Sequence, residues 1–279
     1  MDRENQILTL PDGRKLGFAE YGDGTPLLYF HGHPCSRLEA RYLAGREGVR
    51  VIGIDRPGMG LSSYQPRRTL ISWADDVVSL ADSLGIEKFS VAGLSGGAPY
   101  ALACAYAIPQ RINACGIVSG VWTIDRKTTF LAAWMPWVML PIMGRFLKDV
   151  DTAKGLLTKQ AVKAWPTADK RILDDPTVPD IMATALVEAF RQGPKGPACD
   201  AMLIGRIKGF RLDQIVHPNI HLWHGCADQQ VSIAVARKVA QSLTGCTATF
   251  YDDEGHLSVI VNHRDEILAS LCAGDFLPG

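Results

Sequence analysis

The chain has 279 residues, which suits one large domain or a domain carrying an inserted part. Lys+Arg and Asp+Glu both number 29 and hydrophobic residues make up 47% of the chain, so it is neither a disordered polymer nor a basic ligand for nucleic acid. Its seven cysteines (Cys35, Cys104, Cys115, Cys199, Cys226, Cys246 and Cys272) are scattered and form no C-x-x-C pair. That pattern argues against a disulfide framework and a structural zinc site, and for a reducing cytoplasm.

The opening "MDRENQILTLPDGRK" is polar and carries no apolar signal core. "NQILTL" and "KLGFAEYG" flank the turn "PDGR" and predict an antiparallel pair. Three short branched runs follow: "PLLYFHG" ending at Gly32, "VRVIGID" ending at Asp55 and "KFSVAG" ending at Gly93. Continuous apolar runs suit strands buried on both faces, hence a parallel sheet. Between the second and third, "TLISWADDVVSLADSLGI" spaces Leu70, Trp73, Val77, Leu80 and Leu84 by three or four residues and stops at Gly85, which predicts an amphipathic helix. A second helix, "GGAPYALACAYAIP", and a strand, "NACGIVSG", come next. Strand and helix alternate as in an α/β sheet with right-handed crossovers.

From Val121 to about His217 the rhythm changes to helices with breaks at Pro136, Pro141, Pro166, Pro176, Pro179, Pro194 and Pro197. "TTFLAAWMPWVMLPIMG" within it is apolar, but it is too short for a membrane span and holds two prolines. Strands resume with "NIHLWHG" and "CTATFYD". The expectation is a core of residues 1–120 and 218–279 interrupted by an all-helical cap, residues 121–217.

The strand ending at Gly93 runs straight into a helix through Gly93-Leu94-Ser95-Gly96-Gly97, a G-x-S-x-G sequence. In a turn this sharp the serine takes an unfavourable backbone conformation, at a cost of about 1–3 kcal/mol, and its neighbours two residues away must lack bulk. The turn lifts Ser95 Oγ clear of the sheet and sets the Gly96 N–H at a helix N-terminus, where a developing oxyanion is stabilised. Serine needs a base, and the base a carboxylate to orient it. After the next strands the sequence offers Asp228 in "LWHGCADQQV" and His256 in "TFYDDEGHLSV". The order serine, acid, histidine, each after a strand, selects them; Asp125, shortly after Gly120, is the alternative acid. His217, His221, His224 and His263 suit core or surface roles, and Asp252 and Asp253 read as solvated turn residues.

These motifs give the chain its resemblance. It is similar to members of the α/β-hydrolase superfamily, in the branch with a helical cap. "HGHP" (His31 to Pro34) matches an H-G-x-P turn, "DRPGMGLS" (Asp55 to Ser62) a D-x-x-G-x-G-x-S loop, "GLSGG" the elbow, "HGCADQQV" the acid loop and "EGH" the histidine turn. The fold implied is a mostly parallel central sheet flanked by helices, with an inserted helical cap. The resemblance also implies that His33 supplies a second oxyanion N–H. His31 reads as a structural hydrogen-bonding group, and no further ligand cluster accompanies His31 and His33, which argues against a metal.

Serine at the elbow directs the reading to acyl transfer: Ser95 attacks, His256 is the base, Asp228 orients it, and Gly96 and His33 hold the oxyanion. No cofactor is implied; the glycine spacing fits neither a dinucleotide loop nor a P-loop. Trp122, Phe130, Trp134, Met135, Trp137, Met139, Met143, Phe146 and Trp165 cluster in the cap. Trp122, Trp134 and Trp137 are therefore the candidate walls of an apolar substrate pocket. A carboxylesterase acting on a moderately hydrophobic small molecule is the reading, against a thioesterase, lactonase, carbon–carbon hydrolase or cofactor-free perhydrolase on the same residues, or a small-molecule receptor without turnover. The apolar cap surface leaves room for a homodimer contact.

Overall fold

The computed structural model describes residues 2–122, 129–147 and 149–272, with the side chains of 129–134, 160 and 162 outside that description. An eight-stranded sheet forms the centre, in the order β1-β2-β4-β3-β5-β6-β7-β8. Its strands are β1 (Arg3–Thr9), β2 (Lys15–Tyr21), β3 (Thr25–Phe30), β4 (Val49–Ile54), β5 (Phe89–Leu94), β6 (Ile112–Val118), β7 (Ile220–Gly225) and β8 (Cys246–Tyr251). β1 with β2, and β2 with β4, pair antiparallel, and every other pair is parallel.

The branched runs become strands because the sheet is covered on both sides. Successive side chains of one strand enter opposite layers. Leu28 and Phe30 of β3 join one apolar layer, and Leu27 and Tyr29 join the other. The first layer is closed by α1 (Trp73–Ser83), α2 (Ala98–Ala107) and α8 (Ile233–Ser242); the second by α9 (Ser258–Asn262) and α10 (Arg264–Leu271). Each fully buried Leu, Ile or Phe contributes about 1.5–3 kcal/mol. Trp73 stands edge-on to both Phe30 (5.5 Å) and Tyr100 (5.7 Å), tying the end of β3 to α1 and α2. Such aromatic pairs add about 0.5–1.5 kcal/mol each.

The first helix begins four residues later than its periodicity predicts, at Trp73. Thr69 and Ser72 exchange reciprocal hydrogen bonds of 3.0 Å between side chain and backbone N–H, which forms a turn in place of the first helical residues. At the other end Gly85 takes φ 68°, the left-handed stop that its position predicts.

Between β6 and β7 the described chain forms α3 (Thr129–Phe146), α4 (Val150–Ala164), α5 (Thr167–Arg171), α6 (Thr177–Ala189) and α7 (Lys195–Ile204). Pro166, Pro176 and Pro194 stand at helix N-caps, and Pro179 and Pro197 fall in first turns, where a missing N–H costs nothing. Pro136 and Pro141 do not break the chain as expected: α3 runs through both. No helix among the described residues is long and apolar enough to cross a membrane.

Candidate active site

The elbow is built by steric necessity. Ser95 sits at φ 50°, a left-handed conformation that a non-glycine residue holds only under constraint. A Cβ on Gly93 would lie 2.4 Å from the Gly97 carbonyl, and one on Gly97 would lie 2.0 Å from the Phe30 oxygen. Both glycines are therefore required for β5 to turn into α2. Gly96 packs against His33: a Cβ there would come within 3.4 Å of the His33 backbone nitrogen. The two N–H groups expected to hold an oxyanion thus belong to adjacent segments beside Ser95.

Asp228 follows β7 and His256 follows β8, and the fold brings them together. His256 Nδ1 lies 2.7 Å from Asp228 Oδ2, while Asp228 Oδ1 accepts the Gln230 and Val231 N–H groups at 2.7 and 2.9 Å. Burial works to raise the Asp228 pKa, but the His256 hydrogen bond and charge, with those two N–H groups, outweigh it and hold the carboxyl below its ordinary value. Asp125, the alternative acid, lies outside the described residues.

Ser95 and His256 line one cavity of about 600 Å³. His33, Cys35 and Glu39 form part of its wall from the core, and Met143, Leu157, Trp165, Met182 and Leu186 from the inserted helices. The expected aromatic walls are placed differently. Trp122 packs edge-on to Phe210 at 5.8 Å beside the core layer, and Trp137 is 41% exposed with its Nε1 against Met202 Sδ. Neither is among the residues lining the cavity: Trp122 precedes α3 and packs on the core, and α3 turns the part of its surface that carries Trp137 outward; the Trp134 side chain lies outside the described residues. Unbranched and branched aliphatic side chains of α3, α4 and α6, with Trp165, take the place assigned to the tryptophans.

The other histidines are held in the frame. His31 is fully buried, with Nδ1 donating to the Gly32 carbonyl (2.8 Å) and Nε2 accepting from the Arg56 N–H (3.3 Å). Burial, helped by Arg56, pushes its pKa well down, so it stays neutral. His224 lies 3.6 Å from Asp228, but its Nε2 faces the Val231 carbonyl and burial lowers its pKa. His217 reaches the Ile112 carbonyl, His221 reaches Asn219, and His263 stacks on Tyr251. Among the described residues no group of three His, Cys, Asp or Glu side chains could hold a metal ion.

Two carboxylates from the inserted helices enter the site without having stood out in the sequence. Asp200 on α7 is fully buried and meets Arg56, Arg68, Tyr100 and His33 Nδ1 (3.0 Å). Burial opposes its charge, but Arg56, His33 and Arg68 outweigh burial and hold its pKa well below the ordinary carboxylate range. Asp169 on α5 accepts N–H groups of the histidine loop. The one available hint was Arg56 in the D-R-P-G run, since a buried guanidinium requires a partner.

This sheet order, elbow and loop placement define a hydrolase fold of the α/β class. The alpha/beta hydrolase family model matches residues 27–270, and the chain belongs to that family. An uncharacterized hydrolase, YcgS, of Bacillus subtilis (strain 168) is 33% identical over 135 residues, 47% of each chain. The chain matches about half or less of the length of such curated relatives. An alpha/beta hydrolase fold protein from Nakamurella multipartita superposes with a TM-score of 0.74 at 24% identity, over 97% of this chain and 99% of that one. A thermophilic esterase from Thermogutta terrifontis gives 0.71 at 20% identity, over 96% and 95%. At these identities the likeness is one of fold.

Proposed function

We propose that the protein is a serine hydrolase of carboxylesterase type, acting on moderately hydrophobic small molecules beneath a helical cap formed by residues 121–217. The observation that supports this most is the convergence of Ser95 and His256 in one largely apolar cavity, with Asp228 on His256 Nδ1. Ser95 Oγ attacks the substrate carbonyl as His256 Nε2 takes its proton. The Gly96 and His33 N–H groups receive the oxyanion, and His256 returns the proton to the leaving alcohol. Water then repeats the sequence on the acyl-enzyme.

The lining favours uncharged substrates. Glu39 and Asp169 contribute carboxylates to the wall, and among the described residues no lysine or arginine lines it. A substrate carrying its own carboxylate would meet these two acidic side chains, with no lysine or arginine among the described lining residues to receive it.

Wild type and Ser95→Ala are compared for labelling by a fluorophosphonate and for turnover of a chain-length series of p-nitrophenyl esters. Loss of both in Ser95→Ala is the expected result, and the preferred chain length measures the cavity. Wild type that is folded and unlabelled refutes the mechanism; labelling without turnover of any ester moves the reading to a receptor or to another carbonyl chemistry.

A further inference from the structure

His256 is supported at three points by three different elements. Its side chain rests on Asp228 after β7, and its carbonyl accepts the Ser119 hydroxyl, just past β6, at 2.7 Å. The third support comes from the cap. Asp169 Oδ2 accepts the His256 N–H at 2.8 Å, and Oδ1 accepts the Leu257 and Ser258 N–H groups at 2.9 and 2.8 Å. This carboxylate is 2% exposed and its charge is met by backbone dipoles.

The approach is close enough to dictate sequence on the other side. A Cβ on Gly255 would lie 2.4 Å from Asp169 Oδ2, so only glycine fits beneath the carboxylate. Gly255 is further pinned by its own N–H, which donates to Ser258 Oγ at 2.8 Å. Asp169 also lies in the cavity wall, and Ala164 and Trp165, a few residues upstream, line the same wall. The part of the cap that meets substrate therefore carries the group that holds the base.

We propose that Asp169 is a positioning residue: through the backbone of residues 256–258 it sets the His256 imidazole against Ser95 only when the cap is seated. The inference rests on the serine-hydrolase reading and deepens it. A core without its seated cap would keep Ser95 and the Asp228–His256 pair in sequence while losing one of the three supports of the base. Misplacement of a catalytic group by about 1 Å costs on the order of 10²-fold in rate.

The test is Asp169→Asn in the full chain. The amide keeps the volume and can accept at one oxygen, but it turns an N–H₂ toward one of the backbone N–H groups. The expected result is a fall in kcat of about 10–100-fold with KM changed by less than about threefold. A double-mutant cycle separates positioning from general damage. In the His256→Ala background, where no imidazole remains to be placed, Asp169→Asn lowers the residual rate no further. An unchanged kcat in the single variant overturns the proposal, as does an equal loss in both backgrounds. If Asp169→Asn does not fold, amide hydrogen exchange of wild type decides: His256, Leu257 and Ser258 exchange as slowly as the central strands if the clamp holds, and exchange within minutes overturns it. Equal turnover by wild type and Ser95→Ala overturns the underlying reading and the role of Asp169 with it. Turnover lost in Ser95→Ala but kept in Asp169→Asn removes this inference alone.

Discussion

Replacing Asp228 by Asn changes one atom and poses the site an insoluble hydrogen-bonding problem. Asp228 Oδ1 already accepts two backbone N–H groups, from Gln230 and Val231, and Oδ2 accepts from His256 Nδ1. If the amide oxygen stays on the backbone pair, its N–H₂ faces His256 and forces Nδ1 to become the acceptor. The proton then sits on Nε2, the nitrogen proposed to receive the Ser95 proton. If the amide flips, the N–H₂ meets two backbone donors in a buried setting, at about 1–3 kcal/mol for each group left unsatisfied. The first arrangement costs less, so the variant folds with the wrong tautomer. In triads of this kind that change lowers kcat by about 10⁴, or about 5 kcal/mol of transition-state stabilisation. The assay is steady-state hydrolysis of the best p-nitrophenyl ester, with thermal unfolding measured on the same preparations. A kcat of Asp228→Asn within about tenfold of wild type would refute the assignment of this carboxylate. Asp125→Asn serves as the comparison and retains wild-type kcat if Asp228 is the acid.

The frame around Ser95, Asp228 and His256 gives three further expectations. Gly97→Ala places a Cβ 2.0 Å from the Phe30 carbonyl oxygen, so β5 and α2 cannot keep their junction; soluble yield and Tm fall together with activity, and a wild-type Tm would show that the elbow relaxes freely. Asp200→Asn leaves Arg56 and Arg68, 0% and 2% exposed at their side chains, without a buried counter-charge, at a cost of about 3–5 kcal/mol and a Tm drop on the order of 10 °C at pH 7. Because the Asp200 pKa is depressed in the fold, its contribution is present above the ordinary value of 3.8 and is lost only as pH falls below it, so the Tm gap between wild type and variant closes in acid. Glu39 shows the opposite sign. Burial raises its pKa from 4.5, against the Gly32, Cys35 and Tyr29 hydrogen bonds, so the folded state loses stability as pH rises through and above that value. Since the Gly32 N–H and Tyr29 hydroxyl both donate to the same Glu39 oxygen, Glu39→Gln keeps both bonds and gains Tm relative to wild type between pH 4 and neutrality; a gap that does not grow with pH would contradict this.

Local demands made the sheet and the triad candidates readable. The strands are short branched runs because both faces of β3, β4 and β5 are covered, and a run of that composition has few other places to go. Gly93 and Gly97 flank Ser95 because backbone leaves no room for a Cβ, the Gly97 backbone in the case of Gly93 and the end of β3 in the case of Gly97. The G-x-S-x-G motif therefore records the demand within five residues, although part of it comes from Phe30. The order Ser95, Asp228, His256 follows from the strand each one succeeds, so chain order alone proposes them together.

Pocket walls obey no such local rule: of the three candidate tryptophans, Trp122 and Trp137 are not among the residues lining the cavity, and the Trp134 side chain lies outside the described residues. Whether an apolar side chain of α3 faces the cavity, the core or solvent depends on how the helix seats, which hydrophobicity alone does not encode: Met143 lines the cavity while Met139, on the same helix, is 51% exposed. Asp169 and Asp200 were illegible for a related reason. Asp169 lies in the short polar run TADKR and Asp200 is a lone carboxylate in an apolar run, and the partners stand 87 to 89 residues away for Asp169 and 100 to 167 away for Asp200. A carboxylate is recognised as buried only when the donors that neutralise it are known. These donors belong to His256, Leu257 and Ser258 for Asp169, and to His33, Arg56, Arg68 and Tyr100 for Asp200. The helices between β6 and β7 therefore meet the sheet domain through charges as well as apolar side chains, at the segments that carry His256 and His33, the proposed base and oxyanion donor. Removing either carboxylate while these helices stay seated leaves its donors buried and unpaired, so the contact is more specific than one made by apolar side chains alone.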